Sequence, residues 1–144
     1  MTQFRSLFVL IVLAVTLTDV GGANFVRLYD WDAEAEALTR RLVDYRTFGI
    51  LLLNEETQEL EMKVAVRYSD KIPTPRIKLG TGLVGYAALH KEPVLVSDVE
   101  ADPRYIKVVD DARSELVIPL LVKDRCIGVF DLESPELDAF TKNH

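Results

Sequence analysis

The chain has 144 residues, 49% of them hydrophobic and 28% charged, with a formal net charge of −6. That length holds one ordinary globular domain around a single core. Basic residues scattered under a net negative charge leave no electrostatic footprint for nucleic acid or an anionic membrane surface.

Residues 6–18, "SLFVLIVLAVTLT", form an almost unbroken apolar run behind Arg5. The run is shorter than the roughly 20 residues a bilayer span needs. With "GGA" following at 21–23 it has the outline of a secretory signal, and a buried first helix or an atypical start fits it too. Residues 1–27 are therefore read as an apolar N-terminal segment. The domain itself is expected over 28–144 and in the cytoplasm, with the apolar run leaving a signal or an anchor open. Leu28, Trp31, Ala35, Leu38, Leu42 and Tyr45 follow at spacings of three and four. Such an apolar helical stripe packs on the domain's own sheet or on a partner helix.

After Arg46 the pattern changes. "FGILLLN" (48–54) and "ELEMKVAVR" (59–67), joined by the polar "EETQ", read as a hairpin. Its second strand alternates, with Leu60, Met62, Val64 and Val66 on one face and Glu59, Glu61, Lys63 and Arg67 on the other. "YSDKIPTPR" (68–76) is a loop with two prolines. Next come a short extended piece, a helix over 83–90 and a strand over 93–97. "EADPRYIKVVDDA" (100–112) is irregular, with short helical turns, and leads into a second hairpin, "RSELVIPLLVKDRCIGVFDLES" (113–134). "SPELDAFTKNH" then resembles a loop and a helix N-terminus, with Ser134 or Asp138 as its cap. The helix is expected to be cut short. The order implies an α+β fold with a mainly antiparallel sheet.

Gly80, Gly82 and Gly85 in "GTGLVG" satisfy G-x-G-x-x-G, the phosphate-cradling turn of dinucleotide-binding folds. The half-charged "RIKL" before it and the lack of a second parallel βαβ unit favour glycines that merely shape a loop-to-helix turn. No cofactor is expected. Cys126 is the chain's one cysteine, and His90 and His144 are its two histidines. That count rules out an internal disulfide and a thiolate zinc cluster within the chain, and no metal-ligand spacing is present. Cys126 reads as a small buried apolar residue, and His90 as a polar residue at a helix C-terminus.

Glu115, Asp131 and Glu133 carry the most information. A three-residue loop, Lys123-Asp124-Arg125, would pair Val122 with Cys126, Leu120 with Gly128 and Ile118 with Phe130. Val117 then faces Asp131, and Glu115 faces Glu133. All three carboxylates share a face with Val117, Ile127 and Val129. Like charges across strands repel unless solvent, an arginine or a cationic ligand compensates. The trio is thus either a pocket wall for an ammonium or a set of solvated strand ends, and a two-residue turn would break it by slipping the register.

"IKLGTGLVGYAALHKEPVLVSDVEADPRYI" together with "SELVIPL…IGVFDLES" resembles the GAF domain, from about Arg40 to Phe140. The resemblance implies a GAF/PAS-like fold: a central antiparallel sheet with flanking helices on one face and a loop-covered ligand pocket on the other. It further implies a bacterial sensory module that binds a small molecule and signals through flanking helices to an output domain such as a serine phosphatase or kinase, with a homodimer through those helices. The closing hairpin is similar to that of one enzymatic GAF subfamily, the free methionine-(R)-sulfoxide reductases, whose substrate-binding acids would map onto Glu115, Asp131 and Glu133. Their catalytic cysteines do not carry over: Val84 stands where that subfamily has one, and residues 102–115 contain none. The expectation is a non-catalytic sensor with Glu115, Asp131, Glu133, Val117 and Tyr105 around its ligand. The alternatives are a reductase relative without the catalytic cysteines and a ligand-free dimerisation fragment.

Overall fold

The computed structural model describes residues 47–66 and 76–141. The apolar run at 6–18, the stripe at 28–45, most of the loop at 68–76 and His144 lie outside the described residues. Among the described residues six strands, one α-helix and a 3-10 turn over Val99–Ala101 follow in chain order: β1 (Thr47–Asn54), β2 (Glu59–Val66), β3 (Arg76–Lys78), α1 (Gly82–His90), β4 (Val94–Val96), β5 (Ser114–Val122) and β6 (Arg125–Ser134). They form one sheet in the order β3-β2-β1-β6-β5-β4. Every neighbouring pair is antiparallel, which is the α+β arrangement the sequence implies. Among the described residues no helix is long and apolar enough to cross a membrane.

The helix lies across one face of the sheet. Leu83, Val84, Ala87 and Ala88 are its buried side chains, and their spacing aims them at Leu51, Val94, Val96, Val117 and Val129. The alanines at this contact let the helix sit close to the sheet. Lys91 ends it in the left-handed region at φ 59° and donates its backbone N–H to the Ala87 carbonyl. Its Nζ donates to the Asp124 carbonyl, tying the helix end to the β5–β6 turn. On the opposite face Phe48 and Phe130 stack in a tilted pair with ring centroids 4.5 Å apart, a favoured geometry for aromatic rings.

Two local irregularities differ from the sequence reading. The β5–β6 turn has two residues, Lys123 and Asp124, because Val122 pairs with Arg125. Pairing then shifts between Leu121↔Cys126 and Leu120↔Gly128. Ile127 is the extra residue of this bulge, and it compensates for the shorter turn. From Leu120 onwards the register is the expected one, with Val117 opposite Asp131 and Glu115 opposite Glu133. In β2 a second shift falls between Ile50↔Val64 and Leu51↔Met62. Met62 and Leu60 therefore join the helix-covered face, while Val64 sits opposite Ile50 on the other, so the four apolar residues do not share one face.

The chain after β6 makes a turn rather than a helix start within the described residues. Asp138 has φ 52° and is not a helix cap. It accepts a hydrogen bond from Ser97 Oγ at 2.8 Å. Ser134 ends the strand, and its Oγ accepts from the Glu136 amide.

Candidate functional site

The cavity lies between the acid-bearing end of β5 and β6 and the N-terminus of α1. Its volume is about 260 Å³, just below the usual range for drug-sized ligands and suited to a small metabolite. Contrary to the arrangement expected from the resemblance, it lies on the same face as α1, in the space that the short helix leaves uncovered. Glu115, Asp131 and Glu133 form its floor, Leu51, Met62, Leu83 and Val84 are apolar walls, and Tyr105, Ile106 and Val108 reach in from the loop before β5. Arg76 and Lys78 bring two cationic residues to its rim from β3.

Strand alternation explains the floor. Residues 115 on β5 and 131 and 133 on β6 point to the helix-covered face, and the cross-strand pairing Glu115↔Glu133 places two carboxylates opposite each other, about 5 Å apart at Cβ. Both are buried, at 4% and 5% exposure. Glu115 is held well above the ordinary carboxyl range, first by burial and then by the negative charges of Asp131 and Glu133. A proton on Glu115 relieves the repulsion when nothing else does. Burial and the same three carboxylates push the Tyr105 phenol up as well. The Tyr105 hydroxyl is buried and has no hydrogen-bond partner among the described residues, an arrangement that costs free energy until an acceptor or donor arrives.

The five residues singled out from sequence separate here. Glu115, Asp131, Glu133 and Tyr105 line the one cavity. Val117 does not: it is fully buried in the core under α1, because the helix covers the sheet where Val117 pairs with Val94. Sequence reasoning missed Met62, whose face is set by the β2 bulge; Ile106 and Val108 come from the 100–112 loop expected around the pocket, but its irregular chain carries no periodic signal that singles them out.

The glycine motif shapes the entry to α1, and Gly82 also lines the acidic cavity. Gly80 and Gly82 take φ of 83° and 68°, a region glycine enters without strain, and they turn the chain from β3 into α1. The strand before them is antiparallel to its neighbour, so no βαβ unit surrounds the motif. Cys126 is buried, donates to the Gly128 carbonyl at 3.2 Å, and has its thiol pushed up by burial. It borders a separate surface hollow with Leu53, Leu89 and Lys91 and does not line the acidic cavity. His90 is exposed at the end of α1, its ring 4.1 Å from that of Tyr86. No group of three or more His, Cys, Asp or Glu among the described residues is placed to hold a metal ion.

Comparison with known proteins gives this geometry a family. The profile of the GAF domain matches residues 30–144. Over 104 residues the chain is 33% identical to the free methionine-R-sulfoxide reductase of Escherichia coli K12, covering 72% of this chain and 60% of that protein. The chain thus spans less than two thirds of that relative's length. The X-ray structure of free methionine-R-sulfoxide reductase from Neisseria meningitidis in complex with its substrate is 32% identical with a TM-score of 0.68, covering 76% of this chain and 64% of that one. The GAF domain of an Acinetobacter phosphoenolpyruvate-protein phosphotransferase has a TM-score of 0.69 over 99% of this chain and 83% of that one, at 18% identity. That last likeness is one of fold alone.

Proposed function

This chain belongs to the GAF domain family, and from that premise we propose that it is a non-catalytic sensory module whose acidic cavity binds a small molecule bearing an ammonium group. A free amino acid of the size of methionine sulfoxide is the ligand class that fits best. The observation that carries the reading is the meeting of Glu115, Asp131 and Glu133 with apolar walls in one small cavity. Crowded carboxylates favour a cation that neutralises them and donates several hydrogen bonds. An ammonium does both, and the apolar walls accept its hydrocarbon body. Binding would give the buried Tyr105 hydroxyl a partner and signal through flanking helices to an output domain.

The similarity to the E. coli and N. meningitidis reductases favours a second reading, in which the chain reduces free methionine-R-sulfoxide. That chemistry needs a thiol at the sulfoxide. Cys126, the one cysteine of these 144 residues, borders a different hollow, and Val84, an apolar residue, lines the cavity from α1 beside Leu83. Both observations favour binding without turnover. A melting-temperature screen against free amino acids and their sulfoxides tests the first reading, with a saturable upward shift expected for at least one of them. A thioredoxin-coupled reductase assay tests the second. Turnover that disappears in Cys126→Ser would replace the sensor with an enzyme.

A further inference from the structure

We propose that Arg104, which lies outside the cavity, is a positioning residue that pins the 102–108 loop onto α1 and thereby holds the Tyr105 hydroxyl over the acidic floor. Three consecutive residues divide the work. Arg104 faces out and grips Asp102 as a fork, Nε donating to Oδ1 at 2.9 Å and Nη2 to Oδ2 at 2.6 Å. Its backbone N–H also donates to Asp102 Oδ1 at 2.9 Å. The guanidinium carbon sits 4.6 Å from the centroid of the Tyr86 ring on α1, within cation–π range. One side chain therefore stiffens its own loop and ties it to the helix.

Tyr105 follows, its backbone N–H donating to the Asp102 carbonyl at 3.0 Å and its side chain lining the cavity. Ile106 then lies over Gly82 at the helix start, where a Cβ would stand only 3.1 Å from Ile106 Cδ1. The inner residue is the one that needs holding. A buried hydroxyl without a partner is less stable than a solvated one, so Tyr105 left to itself would swing toward water, and its oxygen has no hydrogen-bond partner among the described residues. The flanking contacts of Arg104 and Ile106 with α1 supply the restraint. Arg is suited to this place because its planar group serves the carboxylate fork and the ring face together, which a lysine ammonium does not.

The purpose of this arrangement rests on the ligand reading above, but its test needs no ligand. Tyr105 nitration by tetranitromethane, followed by peptide mass mapping in mildly alkaline buffer, reports how well the phenol is held in the cavity. Wild type should react slowly at Tyr105. Arg104→Ala should react about five- to tenfold faster there, the size expected from losing one exposed fork and one cation–π contact. Asp102→Asn, which retains an acceptor for the Arg104 amide, should move the rate in the same direction by less. Unchanged Tyr105 nitration in both variants would overturn the proposal. With free L-methionine-R-sulfoxide as probe, Arg104→Ala should weaken binding in the wild-type background and have no further effect in Tyr105→Phe. Equal losses in both backgrounds would show that Arg104 does not act through Tyr105. A wild-type protein that fails to bind any free amino acid would sink the ligand reading, while the nitration rates would still decide the role of Arg104.

Discussion

At the scale of single residues, Glu115 makes folding stability depend on pH. Its ionisation is raised above the ordinary carboxyl value of 4.5 by burial and by its two acidic neighbours. The unfolded chain releases this proton as pH rises past that value, while the folded, empty protein keeps it to a higher pH. Folding stability is therefore lost progressively from about pH 4.5 upward, to the point where the folded form ionises too. Glu115→Gln should remove this loss, so that thermal melts of the empty protein between mildly acidic and mildly alkaline pH flatten and the variant gains over wild type as pH rises. Parallel curves for the two proteins would contradict the burial of an ionisable Glu115. Tyr105→Phe makes a related point, since deleting an unpartnered buried hydroxyl should leave the empty protein as stable as wild type or about 1 kcal/mol more so by denaturant titration. A loss of 2 kcal/mol or more on that order would mean the hydroxyl already has a partner.

At the scale of elements, the β5–β6 hairpin depends on a bulge that compensates for its short turn. Gly128 follows the extra residue Ile127, and a Cβ there would stand 2.3 Å from the Leu51 carbonyl oxygen of β1. Gly128→Ala should therefore destabilise the protein by at least about 2 kcal/mol, by forcing backbone rather than a flexible side chain to move. Chemical denaturation measures it, and a change within about 0.5 kcal/mol would show that β1 and β6 are less closely apposed. The hairpin also shows where sequence reading stops. Alternation on β5 and β6 makes the pairing of Glu115 with Glu133 legible, yet the turn expected from sequence is one residue longer than the two-residue turn observed. Lys123 takes φ 56° without the glycine or asparagine that announces such a turn. The bulge at Ile127 is marked in sequence only by Gly128 beside it, and a strand glycine fits a close backbone approach as well as a bulge, so two unread features cancel. In β2 the single shift beside Lys63 had nothing to cancel it, and Met62 moved to the cavity side while Val64 stayed on the other.

For the whole molecule, the order of pieces in the chain was more informative than any one motif. "GTGLVG", "EPVLVSDV", "DPRYI" and "SELVIPL…IGVFDLES" each have ordinary explanations, while together they named the sheet, the helix across it and the acid-lined end. What stayed illegible was depth. Nothing in the spacing of Val117 and Glu115 distinguishes a residue under α1 from one beside it, because α1 is only nine residues long and its end decides where the core stops and the cavity begins. The same shortness leaves three carboxylates facing a space that a longer helix would fill, and the proposed binding of a small molecule rests on that space. Calorimetric titration at neutral pH with free L-methionine-R-sulfoxide and with its N-acetyl derivative, which lacks the ammonium, tests this most directly. Saturable binding of the free amino acid with none of the N-acetyl form is the expected result. Equal binding of the two, or of neither, would contradict it.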